Sequence, residues 1–159
     1  MKTISKKLAF VLLSVGTALV AAGCASKAGK SDGRMQGMSE GKTQHMEITL
    51  SGNQEVPPVS TAATGKGTIT VASDKSVSGS ITTTGIDGQA AHIHEAAAGA
   101  NGPVIIPLAK GADNTWVVPP GAKLTDAQYA SYMSGNLYVN VHSAAYPEGE
   151  IRAQLLRAK

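Results

Sequence analysis

The sequence predicts an all-β fold, an antiparallel Greek-key sandwich or barrel with one short helix. Three features point that way. Apolar and polar residues alternate in runs of four to eight, turn-forming Gly, Pro, Asn and Asp separate those runs at close intervals, and aromatic residues are few. Besides Trp116 and Phe10 there are four tyrosines, so the core must be aliphatic.

The first 23 residues stand apart from this pattern. Lys2, Lys6 and Lys7 precede the apolar run Leu8 to Ala22, which is short for a permanent membrane helix. The run ends in Ala21-Ala22-Gly23-Cys24, and small residues directly before a cysteine resemble the lipobox of bacterial lipoproteins. That resemblance implies a signal peptide over 1–23 and diacylation of Cys24. The chain would then sit on the membrane by lipid, without spanning it. An ordinary secretory signal cut near the same place is the plainer alternative. Cys24 is the single cysteine, so no internal disulfide can form, and acylation would remove a lone exported thiol. The expected location is the cell envelope, on a periplasmic, outer-membrane or other extracytoplasmic surface.

Charge gives no reason to expect a nucleic-acid partner. The chain has 14 Lys+Arg against 11 Asp+Glu, and without the three signal lysines eleven basic residues face eleven acidic ones. Residues 24–44 are polar, rich in Gly, Ser and Lys and without apolar period, which reads as a flexible tether. Met35, Met38, His45 and Met46 in and beyond it carry thioether and imidazole donors of the kind that suit Cu(I), although Met46 equally begins a strand. The folded domain is expected over 45–156.

Its elements follow in order. Met46, Ile48 and Leu50 alternate with polar residues and predict a first strand; Pro57-Pro58 keeps 52–63 out of regular pairing. Gly67 to Ala72 and Val77 to Ile81 predict a hairpin around Asp74-Lys75. After a loop at 84–88 comes the strand containing His92 and His94. Asn101-Gly102 marks a turn before a short strand from Pro103 to Leu108, and Trp116-Val117-Val118 predicts another. The segment 124–135 is the one convincing helix, with Thr125 as N-cap, Gln128 as its reciprocal partner and Gly135 as the stop. Two strands close the chain, Leu137 to His142 and Glu150 to Leu155. In the last, Ile151, Ala153 and Leu155 are expected to face in, Arg152 and Gln154 out.

Strand alternation gives these segments chemical content. His92 and His94 share a face, as do Tyr138, Asn140 and His142. If the two strands lie side by side, three imidazoles meet, a donor set suited to copper or zinc. Asn140, Glu95, Glu148 or Glu150 would then orient the ring nitrogens not bound to metal. No Gly-x-Ser-x-Gly, phosphate-binding loop or His-Glu-x-x-His pattern occurs, so no catalytic residue is assigned.

The ordered set Ala91-His92-Ile93-His94, Ala98 to Val104, Tyr138 to Ser143, Pro147 and Gly149 to Leu155 resembles the chordin-type (CHRD) domain, over roughly Met46 to Leu155. The resemblance implies an immunoglobulin-like β-barrel distantly similar to copper/zinc superoxide dismutases. Glu148 and Ala153 stand where the family often has glycine, and Glu148 adds a carboxylate near His142. Against the dismutase plan, His92, His94 and His142 match the copper ligands and Arg152 resembles the anion-guiding arginine. No histidine lies between His94 and His142, so the zinc site and bridging imidazolate have no ligands.

Three functions are therefore weighed. The first is a lipid-anchored envelope module that binds copper, or another transition metal, through His92, His94 and His142. The second is a copper-only, dismutase-like enzyme using the same ligands. The third is a metal-free structural or interaction module. Convergence of the three rings is the observation that separates them.

Overall fold

A computed structural model describes residues 47–157. The expected signal peptide and tether, with Cys24, His45 and Met46, lie outside the described residues. Nine strands and one helix follow in the order β1 (Glu47–Ser51), β2 (Thr64–Val71), β3 (Val77–Thr84), β4 (Gly88–Glu95), β5 (Val104–Pro107), β6 (Ala109–Lys110), β7 (Thr115–Val117), α1 (Asp126–Met133), β8 (Leu137–Ser143) and β9 (Ile151–Leu155). All pair antiparallel in one sheet ordered β5-β4-β8-β9-β1-β2-β3-β7-β6. The two end strands, β5 and β6, are joined through Leu108 alone, whose N–H donates to Ala91 O at 2.9 Å. The sheet therefore curls into a nearly closed barrel, which leaves little unpaired edge.

Period-two patterning sets the inner face. Ile48 and Leu50 of β1, Ile81 of β3, Ile93 of β4, Leu137, Val139 and Val141 of β8, and Ile151, Ala153 and Leu155 of β9 are all buried in one aliphatic cluster with Trp116. The β2–β3 hairpin turns at Asp74-Lys75, with Lys75 at φ 71° and Asp74 Oδ1 accepting from the Ser76 backbone N–H and hydroxyl. Gly79, at φ +128°, has its α-hydrogen side against Thr68 O, where an added Cβ would lie 1.9 Å away, so no other residue fits there without moving backbone.

The helix has the predicted ends. Gln128 N–H donates to Thr125 Oγ1 and the Gln128 side chain accepts from Thr125 N–H, a complete capping box. Gly135 adopts φ 75° at its close. Tyr129 and Tyr132 pack on the core, whereas Met133 is exposed. Three polar contacts hold the helix segment: Ser131 Oγ to Glu95, Gln154 Nε2 to Gly135 O, and an ion pair between Lys75 and Asp126.

The strands run somewhat longer than expected for β2 and β3, and β6 has no apolar alternation that would have announced it. One larger difference bears on the site. Arg152 does face away from the core, but it is 1% exposed. Tyr138 and Asn140, on the same outer face, are also buried, because loops 52–63, 96–103 and 143–150 lie over that side of the sheet. Both faces of β8 are thus covered.

The burial pattern predicts the response to truncation. Leu137→Ala, at a position with no exposure, is expected to cost about 2–5 kcal/mol in urea denaturation, and Met133→Ala less than about 0.5 kcal/mol.

Candidate metal centre

Pairing of β4 with β8 decides where the histidines go. The register sets Ala90 opposite His142, His92 opposite Asn140 and His94 opposite Tyr138, after a bulge that leaves Gln89 unpaired. The small Ala90 gives room beside His142, so the His142 ring leans diagonally toward His92. Their nearest nitrogens, His92 Nδ1 and His142 Nε2, are 3.0 Å apart. Ring centroids lie 4.9 Å apart for His92–His142, 5.6 Å for His92–His94 and 6.1 Å for His94–His142. One ring nitrogen from each histidine falls within 4.8 Å of the other two.

Backbone carbonyls set the direction of the lone pairs. His94 Nδ1 lies 2.9 Å from Gly102 O and His142 Nδ1 lies 2.9 Å from Pro147 O. A carbonyl only accepts, so each Nδ1 carries the hydrogen and each neutral ring holds its lone pair on Nε2. His142 Nε2 then accepts from His92 Nδ1–H. His94 Nε2 is buried and has no hydrogen-bond partner. An Nδ1–H bound to a carbonyl with a bare Nε2 opposite is the arrangement metal-ligating imidazoles use.

The cluster fits a metal ion by size as well. At 2.0–2.1 Å per bond, two ligand nitrogens sit at most about 4.2 Å apart, so the widest separation must close by about 0.6 Å. His94 is buried, while His92 and His142 are half-buried, which leaves the centre open on one side. Burial, then the neighbouring His142 and His94, hold the pKa of His92 below the ordinary imidazole value. Burial also lowers that of His94, with the Gly102 carbonyl pulling against it.

A second tier of residues surrounds the rings. Tyr138 stacks on His94 at 4.7 Å and 7°, and the Arg152 guanidinium lies 3.4 Å from the Tyr138 ring centre. Arg152 donates to Ala100 O, Asn101 Oδ1 and Gln154 Oε1. Asn140 is buried between His92 and Arg152 in the register, with Oδ1 unpartnered.

The carboxylates expected to orient the rings are elsewhere. Glu95 accepts from Ser131 on the helix, since it falls on the opposite strand face from His94. Glu150 accepts from Thr61, and Glu148 is exposed at a cleft rim. Backbone carbonyls of Gly102 and Pro147 hold the rings in their place, contacts that no residue pattern announces. Sequence reading also passed over Glu55. It is 5% exposed with Oε1 unpartnered, and it reaches the site's second tier from the loop after β1. Its one signal was an acidic residue beside the apolar run Val56-Pro57-Pro58.

The fold and the cluster define an antiparallel β-barrel module with a three-histidine centre able to hold a metal ion. The CHRD domain family model matches residues 46–155, and the chain belongs to that family. Comparison with curated proteins and with solved structures gives no match.

The depressed imidazole pKa values make stability depend on pH. In metal-free protein, the unfolded chain takes up protons first as pH falls through its ordinary value near 6.5, and the native rings follow only at lower pH. The contribution is therefore complete above about pH 6.5 and lost below it. His94→Gln should remove that component: the stability difference between wild type and variant, read by urea denaturation with chelator present, is expected to shrink between pH 7.5 and 5.

Proposed function

We propose that this chain is a lipid-anchored envelope protein whose CHRD barrel binds one transition-metal ion, copper in preference to zinc, through His92, His94 and His142. The observation that carries this reading is His94 Nε2, a buried lone pair without a donor, within reach of the other two imidazoles. A buried acceptor without a partner costs roughly 1–3 kcal/mol, which a bound cation would offset. Three neutral imidazoles favour copper over zinc by the general affinity order of divalent ions. Met35, Met38, His45 and Met46, in the segment before the barrel, add soft donors of the type a copper-handling protein uses.

The reading is one of binding, not turnover. A dismutase-like enzyme would need a cationic side chain free to draw an anion toward the metal. The Arg152 guanidinium is buried, stacked on Tyr138 and committed to three loop and strand acceptors. Anchoring through Cys24 rests on the Ala21-Ala22-Gly23-Cys24 segment alone.

Purified protein is expected to take up about one Cu(II) per chain by calorimetry and elemental analysis. His92→Ala or His142→Ala should lower the affinity about 100-fold or more, near 2.8 kcal/mol. Equal uptake by both variants and wild type would overturn this assignment of the ligands. Cys24→Ser is expected to move the protein from the membrane to the soluble fraction of expressing cells.

A further inference from the structure

Three of the buried side-chain atoms without a hydrogen-bond partner lie in one place: His94 Nε2, Asn140 Oδ1 and Glu55 Oε1. A native fold leaves few such atoms, and a concentration of them beside a donor cluster needs a cause. Glu55 is the most costly of the three. Its Oε1 and the Asn140 Nδ2 both lie against Gly149, at 2.5 and 2.7 Å from where a Cβ would project, so no side chain at that position could offer Oε1 a donor. No basic residue forms an ion pair with Glu55; Lys75–Asp126 is the single ion pair among the described residues.

The charged groups around Glu55 come from several elements. Arg152 of β9 attracts it, but its guanidinium is hydrogen-bonded to Ala100, Asn101 and Gln154 instead. His92 and His94 of β4 and His142 of β8 are the nearby imidazoles, with Asn140 opposite His92 in the register. Glu148 lines the same cleft of about 240 Å³, and Glu150 is bound to Thr61. A buried carboxylate with one oxygen left unpartnered is disfavoured unless positive charge is near.

We propose that Glu55, acting through Asn140, is the internal counter-charge of the three-histidine centre, protonated while the centre lacks a cation and ionised when a metal ion binds. This rests on the metal reading above. The carboxyl O–H bond breaks, the proton leaves to solvent, and the carboxylate offsets one unit of the incoming charge. Glu55 is a positioning residue here, not a ligand, since it falls outside the cluster of nitrogens that converge. Burial raises its pKa to about 7, with Arg152 and Asn140 pulling it down, so an added cation moves the proton within the range where the protein can be studied.

Zn(II), which is redox-inert, is the probe. Binding is measured by titration calorimetry in buffers of different ionisation enthalpy, on wild type, Glu55→Gln, Glu55→Asp and His142→Ala. Wild type is expected to release up to about one proton more than Glu55→Gln near pH 6. At pH 8, Glu55→Gln should bind about 10–100-fold more weakly than wild type, the gap closing as pH falls toward 5. Glu55→Asp should restore part of both effects. A purely structural role would lower affinity equally at every pH and leave the proton count unchanged. Identical proton release and affinity in wild type and Glu55→Gln overturns the counter-charge while leaving the metal centre intact. Absence of Zn(II) uptake by wild type, matching His142→Ala, overturns both. Glu55→Gln also has a metal-free readout: the loss of stability that Glu55 imposes as pH rises from about 4.5 to 7 should vanish in urea denaturation, and its persistence would count against ionisation of this carboxyl.

Discussion

The buried guanidinium of Arg152 is the contact on which the outer half of this molecule depends. It rests on the Tyr138 ring and donates to Ala100 O, Asn101 Oδ1 and Gln154 Oε1. Those acceptors fix the 96–103 loop against the sheet. The loop in turn supplies Gly102 O to His94 Nδ1, and Asn101 Nδ2 donates to Val56 O, which holds the segment bearing Glu55. One residue of β9 thereby positions a ring nitrogen on β4 and a carboxyl from the loop after β1. Arg suits this role because its planar fork can stack and donate in several directions at once.

Covering the sheet's second face has a physical consequence. In an ordinary antiparallel barrel the outward side chains of β8 would be solvated, and polar residues there would be free of constraint. Here Tyr138 and Asn140 are buried as fully as Val139 and Val141. A buried polar layer is favourable only when nearly all its members are paired, and it then restricts each group to one orientation. The layer is satisfied at Arg152, Gln154 and Tyr138 and left open at His94, Asn140 and Glu55. The unsatisfied atoms lie together beside the converging imidazoles, which is what a site for a positive ion requires.

Much of the barrel was legible in the sequence because local rules and global fold agree there. Alternation at Ile48 and Leu50, at Ile151, Ala153 and Leu155, and the Thr125–Gln128 capping box each point to the observed element. The sharing of a face by His92 and His94 follows from strand geometry, and their meeting with His142 follows from β4 pairing with β8. Burial of Arg152 was not legible, since alternation says which face a residue takes and nothing about what covers that face. The ring-orienting groups were missed for a related reason. Glu95, Glu148 and Glu150 are near in sequence, but the nitrogens are held by main-chain carbonyls, which every residue has. Glu55 lies far from the histidine motifs in the chain and joins them through loop packing alone.

Electrostatics ties these parts into one design. Without a cation, the centre is built from neutral groups: the shared environment of His92 and His94 disfavours their protonation, and burial disfavours ionisation of Glu55. Arg152 is the fixed positive charge in the layer; it attracts the Glu55 carboxyl, but its N–H groups are taken by Ala100, Asn101 and Gln154. Adding a cation among the imidazoles brings a second positive charge near the Asn140–Glu55 pair, besides that of Arg152. In a low-dielectric layer two nearby cations favour a negative charge on Glu55 more strongly than either would alone. The same loops that exclude water from the layer are therefore what make occupation of the histidines felt at Glu55.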